Sequence, residues 1–283
     1  MNPLQKMQKP ILGVKNKMKK FSMLCCSLML ANASLSAHAE SAVSLKTTDG
    51  YEIGAQVSNY KYEEPGLMNL KGTKLGLTGS ATKNLGNDWY VVGDLRFAFG
   101  DVDYTGSGTK SGNPDRLWDL RAMGGKDFAV GSYVLSPYAG LGYRTLFNDL
   151  RGVSNTGAIG YRRNSEYLYL PLGVTHRFQT DSVSRISTSL EYNYLISGSQ
   201  KSYLSDVLPG LSDPVNKQKN GYGFRLSSAY EKKDWSVGVL YNYWNIKDSE
   251  ITDLLYLGVP TGLVVLEPKN NTNEYGVQVK YRF

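Results

Sequence analysis

The sequence predicts an all-β chain folded as one antiparallel transmembrane β-barrel of about ten strands, with eight or twelve strands as the alternatives. Three observations predict it. Segments of alternating apolar and polar residues recur from residue 51 to the C-terminus. Short and long connections alternate between those segments. The last residue, Phe283, is an aromatic that continues the apolar face of the final segment. A strand sends successive side chains to opposite faces, so a barrel in lipid reads as apolar-out and polar-in with a period of two.

The first 39 residues stand apart. Lys6, Lys9, Lys15, Lys17, Lys19 and Lys20 precede an apolar run over 21–30, and small residues follow up to Ser36-Ala37-His38-Ala39. A basic region, a short apolar region and an A-x-A-like end describe a secretory signal peptide, with cleavage expected after Ala39. The apolar run is too short for a spanning helix, which needs ~20 residues. Met18 is an alternative translation start, because Met18-Lys19-Lys20 opens a leader of ordinary length. The chain thus divides into a leader, 1–39, and a barrel, 40–283.

The leader accounts for most of the formal charge of +7. Its six lysines belong to 32 basic residues in all, leaving 26 against 25 acidic residues, a net charge of +1. The basicity is a targeting feature and gives no ground for a nucleic-acid partner. Both cysteines, Cys25 and Cys26, also fall in the leader, inside its apolar run rather than after it. Residues 40–283 therefore offer neither a disulfide nor a cysteine-ligated metal. Mean hydropathy is low at −0.35. No run after the leader approaches ~18 apolar residues, which excludes helical spans. Tyrosine (21) and glycine (30) are frequent, which suits close strand packing with aromatic belts.

Each strand is read by parity. The clearest is the last: Tyr275, Val277, Val279, Tyr281 and Phe283 form one face, and Gly276, Gln278, Lys280 and Arg282 the other. Trp89, Val91, Leu95, Phe97 and Phe99 oppose Tyr90, Asp94 and Arg96. Ile186, Thr188, Leu190, Tyr192 and Tyr194 oppose Arg185, Ser187, Ser189, Glu191 and Asn193. Tyr222, Phe224, Leu226 and Tyr230 oppose Arg225, Ser227 and Glu231, and Trp235 to Tyr243 repeat the pattern. Weaker alternation covers 51–62, 69–82, 116–126, 133–146 and 166–178; Pro171, inside the last of these, predicts a local bulge. The stretch 263–266 leaves room for an extra hairpin.

The connections 83–88, 127–132, 179–184 and 232–234 are short. Those at 63–68, 100–115, 147–165, 197–220 and 246–272 are mostly longer and rich in Gly, Ser, Asn and Pro. Short periplasmic turns and long outer loops are the habit of outer-membrane barrels, and an even strand count returns both termini to the periplasm. Tyr51, Trp89, Tyr133, Phe178, Tyr230, Trp235 and Phe283 then mark the inner water–lipid boundary.

Residues 136–144 (Ser-Pro-Tyr-Ala-Gly-Leu-Gly-Tyr-Arg) resemble a central strand of small Gram-negative outer-membrane β-barrel proteins, as do residues 168–174. The ending Tyr275, Val277, Val279, Tyr281, Phe283 resembles the signal read by the barrel-assembly machinery. The resemblance is to a superfamily that includes adhesins, pores and enzymes. It implies an outer-membrane location, and lipid, lipopolysaccharide and the assembly machinery as partners.

Parity turns many charges inward: Lys74, Asp94, Arg96, Asp119, Arg121, Arg144, Glu191, Arg225, Glu231, Lys280 and Arg282. Eight strands are filled by side chains and sixteen leave a channel, so ten strands with long Arg and Lys side chains predict a largely plugged lumen of paired charges. A narrow channel for small solutes is the alternative. Enzyme chemistry is not expected. Omptin proteases, similar in strand number, combine an acidic pair with an Asp–His pair at the outer rim. Asp101 and Asp103 resemble the acidic pair in placement, but the one histidine of 40–283, His176, falls at the opposite end and on the lipid face. The segment 101–106 matches the start of a calcium loop, yet Thr105 and Gly112 stand where that motif wants ligands. No metal and no cofactor are expected.

The outer loops carry the unusual feature. Tyr203 and Leu208 on the fourth, and Leu254, Leu255, Tyr256 and Leu257 on the fifth, head a set of apolar residues with Ile251, Val259 and 263–266. Water-exposed loops rarely need so many. They are the candidate contacts for an extracellular ligand, or else they pack on one another as a cap. Arg151, Arg162 and Arg163 on the third loop are candidates for acidic lipopolysaccharide or sulfated sugars. The expected function is an adhesin-like contact or envelope protein.

Overall fold

The computed structural model describes residues 43–283. The expected leader, with Cys25 and Cys26, lies outside the described residues. Fourteen strands are present among them. In chain order they are β1 (Gly50–Glu64), β2 (Met68–Gly86), β3 (Trp89–Thr105), β4 (Thr109–Lys126), β5 (Phe128–Val130), β6 (Tyr133–Val153) and β7 (Ile159–Asp181). There follow β8 (Ser184–Ser202), β9 (Val215–Gln218), β10 (Gly221–Lys232), β11 (Trp235–Ile246), β12 (Thr252–Tyr256), β13 (Val259–Val265) and β14 (Asn270–Arg282). Ten of them close a barrel of antiparallel neighbours, β1-β2-β3-β4-β6-β7-β8-β10-β11-β14, with β14 pairing back onto β1. β5 continues the line of β4 beside β6, and β9 extends the wall beside β8. β12 and β13 form a separate hairpin within the last long connection.

The short turns fit their sequences. Asn87 and Asp88 both take positive φ (50° and 67°), as the two central residues of a type I′ hairpin turn must. At the other end, Pro65-Gly66 joins β1 to β2, with Leu67 N–H donating to Glu64 O at 2.9 Å and Gly66 at φ 80°, a type II turn. Pro171 lies in β7. Beside it the β6–β7 pairing is interrupted between Ala139/Leu172 and Gly142/Tyr169, and a bulge sits on the β8 side between Leu168 and Tyr169.

Two of the expected long loops are largely barrel strand. β3 and β4 run to within three residues of each other, and β6 and β7 to within five. The Gly-, Ser- and Asn-rich stretches 100–115 and 147–165 keep their alternation, but its outward face changes from apolar to charged. Along β1 the outward residues pass from Val57 to Lys61 and Glu63; along β3, from Phe99 to Asp101 and Asp103. From Phe99 to Thr105 the strand runs on for roughly 20 Å at ~3.4 Å per residue. The barrel wall thus continues above its apolar belt, and composition alone made that continuation look like loop.

The interior changes in the opposite sense. Within the belt it is polar. Above, it is filled by Tyr60, Tyr62, Leu70, Val102 and Leu150, and at the level between by Leu117, Tyr167, Tyr169, Leu195 and Trp244, all buried. Strand polarity therefore changes along the barrel: apolar outside and polar inside in lipid, and beyond it polar outside, with aromatic and aliphatic side chains joining buried polar groups inside.

Close approaches of tyrosine to glycine pack the wall. Gly142 is paired with Tyr169, and Gly173 with Tyr138. A Cβ at Gly142 would come within 2.2 Å of the Tyr169 ring, and one at Gly173 within 2.4 Å of the Tyr138 ring. Gly142→Ala is expected to lower stability by about 1–3 kcal/mol, the usual cost of overpacking. Urea unfolding from lipid vesicles measures it, and a change below about 0.5 kcal/mol would contradict the packing account.

The segment 43–49 crosses the end that carries the short turns. Val43 N–H donates to Ser182 O at 3.0 Å. Arg185 donates to Ser44 O, and Lys46 Nζ to Asp88 at 2.7 Å. The Thr47 N–H and hydroxyl donate to the Asp127 carboxylate at 2.5 and 3.0 Å. The segment is a strap tied to the β2–β3 turn, the β4–β5 junction and the β7–β8 turn.

Candidate functional site

Two regions gather the residues with functional potential, the lumen and the outer hairpin. In the lumen, Arg121 makes a bidentate pair with Asp94 (2.9 Å each) and a second pair with Glu191 at 2.8 Å. Glu191 also accepts from the Tyr138 hydroxyl at 2.9 Å. Arg225 pairs with Asp119 at 2.5 Å, and Tyr169 donates to the same carboxylate. These groups come from β3, β4, β6, β7, β8 and β10, so the network ties together strands that do not adjoin. Arg96 pairs across the barrel with Glu274 and donates its Nε–H to Gln56 Oε1 at 3.1 Å. Lys74 pairs with Asp115, and its ammonium lies 3.4 Å from the Tyr60 ring centre. Lys280 and Arg282 lie at the turn end and share Glu52 at 3.8 and 3.3 Å.

Arg144 departs from the expected charge network. It is buried, but its guanidinium stacks 5.1 Å from the Trp244 ring and has no carboxylate partner among the described residues. A desolvated cation over an indole gains about 2 kcal/mol, which explains how the fold tolerates it. Several partners were absent from the sequence reading. Glu274 was one residue outside the alternation taken for the last strand. Asp115 lay in a stretch read as loop. The aromatic layer of Tyr60, Tyr167, Tyr169 and Trp244 was also missed, so the lumen is filled by rings as well as by paired charges. Between strap and aromatic layer, a cavity of about 220 Å³ remains, lined by Asp94, Arg121, Tyr138, Arg177, Arg185 and Glu231 among others.

A second ion cluster closes the outer end. Arg163, 3% exposed, donates to Glu64 and Glu267 at 2.5 Å each and to the Tyr62 hydroxyl at 3.1 Å. Glu267 belongs to the connection between β13 and β14, outside the barrel strands. Burial, opposed by Arg163 and reinforced by Glu64, pushes its carboxyl up to about 7. The three arginines expected to face lipopolysaccharide are all engaged within the chain: Arg151 with Asp149 (2.7 Å), Arg162 with Asp206 (2.8 Å), and Arg163 as above.

The apolar loop residues divide. Tyr203 is half-buried, its ring 4.8 Å from the Arg162 guanidinium and 4.5 Å from the Lys201 ammonium, so it belongs to the rim. Leu208 is exposed, and its loop docks on the hairpin: Leu257 N–H donates to Gly210 O at 2.8 Å, and Ser212 N–H to Leu255 O at 2.9 Å. Leu254 and Leu255 are half-buried there. Tyr256 and Leu257 are exposed, with Ile251, Val259, Leu263, Val264 and Leu266 beside them. The fourth and fifth connections therefore pack together through the hairpin turn, and the hairpin's apolar side chains remain exposed beside that contact. Its tip is unusual. Leu257 takes φ 49° and is 73% exposed. Left-handed backbone at a non-glycine residue costs roughly 1–2 kcal/mol, and Asn or Gly is the usual occupant of such a turn.

The profile of the outer membrane protein β-barrel domain matches residues 24–207. The chain belongs to that outer-membrane β-barrel family. No curated protein matches it. Among solved structures, the outer membrane protease OmpT from Escherichia coli is 14% identical, with 84% of this chain and 99% of that chain covered and a TM-score of 0.53. An outer membrane channel from Pseudomonas putida F1 is 10% identical, covering 88% and 100%, at a TM-score of 0.41. The attachment invasion locus protein Ail of Yersinia pestis is 11% identical, covering 84% and 100%, at 0.30. The first of these supports the barrel fold.

The residues weighed for enzyme chemistry are dispersed in this outer-membrane barrel. Asp101 and Asp103 are exposed on the outward face of β3, away from the lumen. The segment 101–105 is strand, so the calcium-loop turn does not form there. His176 lies on the lipid-facing side of β7 between the rings of Tyr133 (5.1 Å) and Phe178 (5.5 Å).

Proposed function

We propose that this outer-membrane barrel is an adhesin-like surface protein whose contact element is the β12–β13 hairpin. The observation that carries the reading is Leu257. A strained left-handed position at the most exposed point of an apolar hairpin holds a leucine where asparagine would be easier. Strain of this kind persists where it has a use. The filled lumen beneath supports the same reading, because solute passage would have to cross the layer of Tyr60, Tyr167, Tyr169 and Trp244.

Leu257→Asn separates contact from folding. Asparagine suits the turn, so stability is expected to hold or rise by up to ~1 kcal/mol. Adhesion of cells displaying the variant to epithelial monolayers is expected to fall severalfold. Unchanged adhesion would defeat the reading. In planar bilayers the refolded protein is expected to be silent, and regular single-channel steps would favour a narrow pore instead. We assign export to the leader at 1–39 and recognition by the assembly machinery to Tyr275, Val277, Val279, Tyr281 and Phe283. Deleting Phe283 is expected to reduce the folded protein recovered from outer membranes; a normal yield would contradict this assignment. The apolar belt takes membrane lipid and the acyl chains of lipopolysaccharide as its partners.

A further inference from the structure

The β12–β13 hairpin is apolar on both faces. Leu263 and Val264 are successive residues of β13, so they point to opposite faces, and they are 64% and 56% exposed. Tyr256, Leu257 and Val259 are exposed around the tip, and Leu208, on the loop that docks there, is exposed too. Asp253, near the root, is the one charged residue of 251–266. A flat protein surface covers one face of such a hairpin and leaves the other in water. A hydrocarbon phase covers both.

The backbone of the hairpin suits the same surroundings. Lipid penalises polar backbone groups that lack partners. Leu255 N–H donates to Ser212 Oγ at 3.0 Å, its carbonyl accepts from Ser212 N–H, and Leu257 N–H is met by Gly210 O. The Thr261 hydroxyl donates to Leu254 O at 2.8 Å and accepts from Leu263 N–H at 3.2 Å. Pro260 has no N–H. These bonds meet backbone groups that the irregular β12–β13 pairing strands, and the proline interrupts the ladder that an added peptide strand would need.

The root is basic. Glu250 N–H donates to Lys217 O at 2.8 Å, and Lys247 N–H to Asn220 O at 2.9 Å, which places both lysines there. Lys269 N–H donates to the Asp248 carboxylate at 2.7 Å, and Lys219 pairs with Glu250. Lys217, Lys247 and Lys269 are exposed, and their ammonium groups make no ion pair among the described residues. Four lysines thus stand against two exposed acids, Asp248 and Glu250. From Thr252 to Leu257 the hairpin spans about 17 Å at ~3.4 Å per residue. Interfacial elements bury their apolar parts about 5–10 Å into the boundary between headgroups and acyl chains, which leaves the root at the level of phosphate groups.

We propose that the hairpin enters an apposed anionic phospholipid bilayer, with Leu257 and its apolar neighbours in the acyl boundary and Lys217, Lys247 and Lys269 against the lipid phosphates. This rests on the hairpin being the contact element and names its partner. The test mixes the full barrel in phosphatidylcholine nanodiscs with separate liposomes of mixed phosphatidylcholine and phosphatidylglycerol. Flotation reads binding, and empty discs give the background. Barrel discs are expected to float with the liposomes. Leu257→Asn is expected to weaken that binding about tenfold. Replacing Lys217, Lys247 and Lys269 together by Gln is expected to weaken it by about tenfold or more, and to leave the weaker binding to pure phosphatidylcholine unchanged. Circular dichroism checks that each variant folds. Amide exchange over 254–263 is expected to slow only when liposomes are added.

Flotation no better than that of empty discs, or equal flotation of Leu257→Asn, would overturn the proposal. So would exchange that is already slow in the discs alone, because the hairpin would then sit in the barrel's own bilayer. The two readings fail separately. If Leu257→Asn loses cell adhesion while wild-type discs ignore liposomes, the contact role stands and the lipid partner falls. If adhesion is unchanged while liposome binding is lost, the contact role falls and entry into lipid stands.

Discussion

Arg121→Met is expected to lower the stability of the folded barrel by about 3–5 kcal/mol, the cost of stripping a buried ion network of one partner. Arg121 is the cation between Asp94 and Glu191. Its removal leaves Asp94, Asp119 and Glu191 to share Arg225, whose nearest carboxylate is Asp119 at 2.5 Å and whose Nε stands 3.7 Å from Glu191. Combining Arg121→Met with Asp94→Asn removes one of the stranded carboxylates and is expected to recover a substantial part of the loss. Urea titration from lipid vesicles reads both. A loss below about 1 kcal/mol for the single variant would mean that water in the neighbouring cavity already solvates these groups, and that the network positions strands without stabilising them.

The second large effect is a pH dependence at the outer end. The carboxyl of Glu267 titrates near 7 in the fold against an ordinary value of 4.5. A proton is therefore held more tightly in the folded state than in the unfolded one. The stability this contributes is fully present below about pH 4.5, declines through the window between, and is lost above about pH 7. The difference amounts to about 3 kcal/mol across the window. Glu267 anchors the root of the hairpin connection: its N–H donates to Ser249 Oγ at 2.9 Å, and its carbonyl accepts from Ser249 N–H at 2.9 Å. Amide exchange over 247–269, corrected for intrinsic rates, is expected to quicken as the pH rises from 5 to 8. Glu267→Gln should flatten that response. An unchanged response in the glutamine variant would place the titrating group elsewhere.

The barrel was legible because lipid imposes a rule on every second residue. Counting back from Phe283 assigns a face to each residue of β14, and the same parity holds in β3, β8, β10 and β11. The rule fails where the wall leaves lipid. There the outward residues become Lys61, Glu63, Asp101 and Asp103, and the alternation no longer separates apolar from polar in the familiar sense. Asp115, Arg163 and the buried tyrosines of β1 and β7 lie in or near that zone. Partners across the lumen were illegible for another reason. Arg163 meets Glu64 and Glu267 at separations of 99 and 104 residues, and Arg96 meets Glu274 at 178. Such meetings depend on strand tilt and stagger, which a linear pattern does not encode. The apolar hairpin was visible as composition; the left-handed backbone of Leu257 was visible only in three dimensions.

The strap over 43–49 has a bearing on time as well as on shape. Its anchor at Asp127 lies 80 residues along the chain, and its contact between Arg185 and Ser44 spans 141. Contacts of such separation form late, because the intervening chain must first be ordered. The strap needs turns contributed by β2, β4 and β7, and those turns stand in register only once the intervening wall exists. The stretch nearest the start of the described chain is thus a late stitch, and a protease that clips it freely would be reporting barrels whose turn end has yet to order.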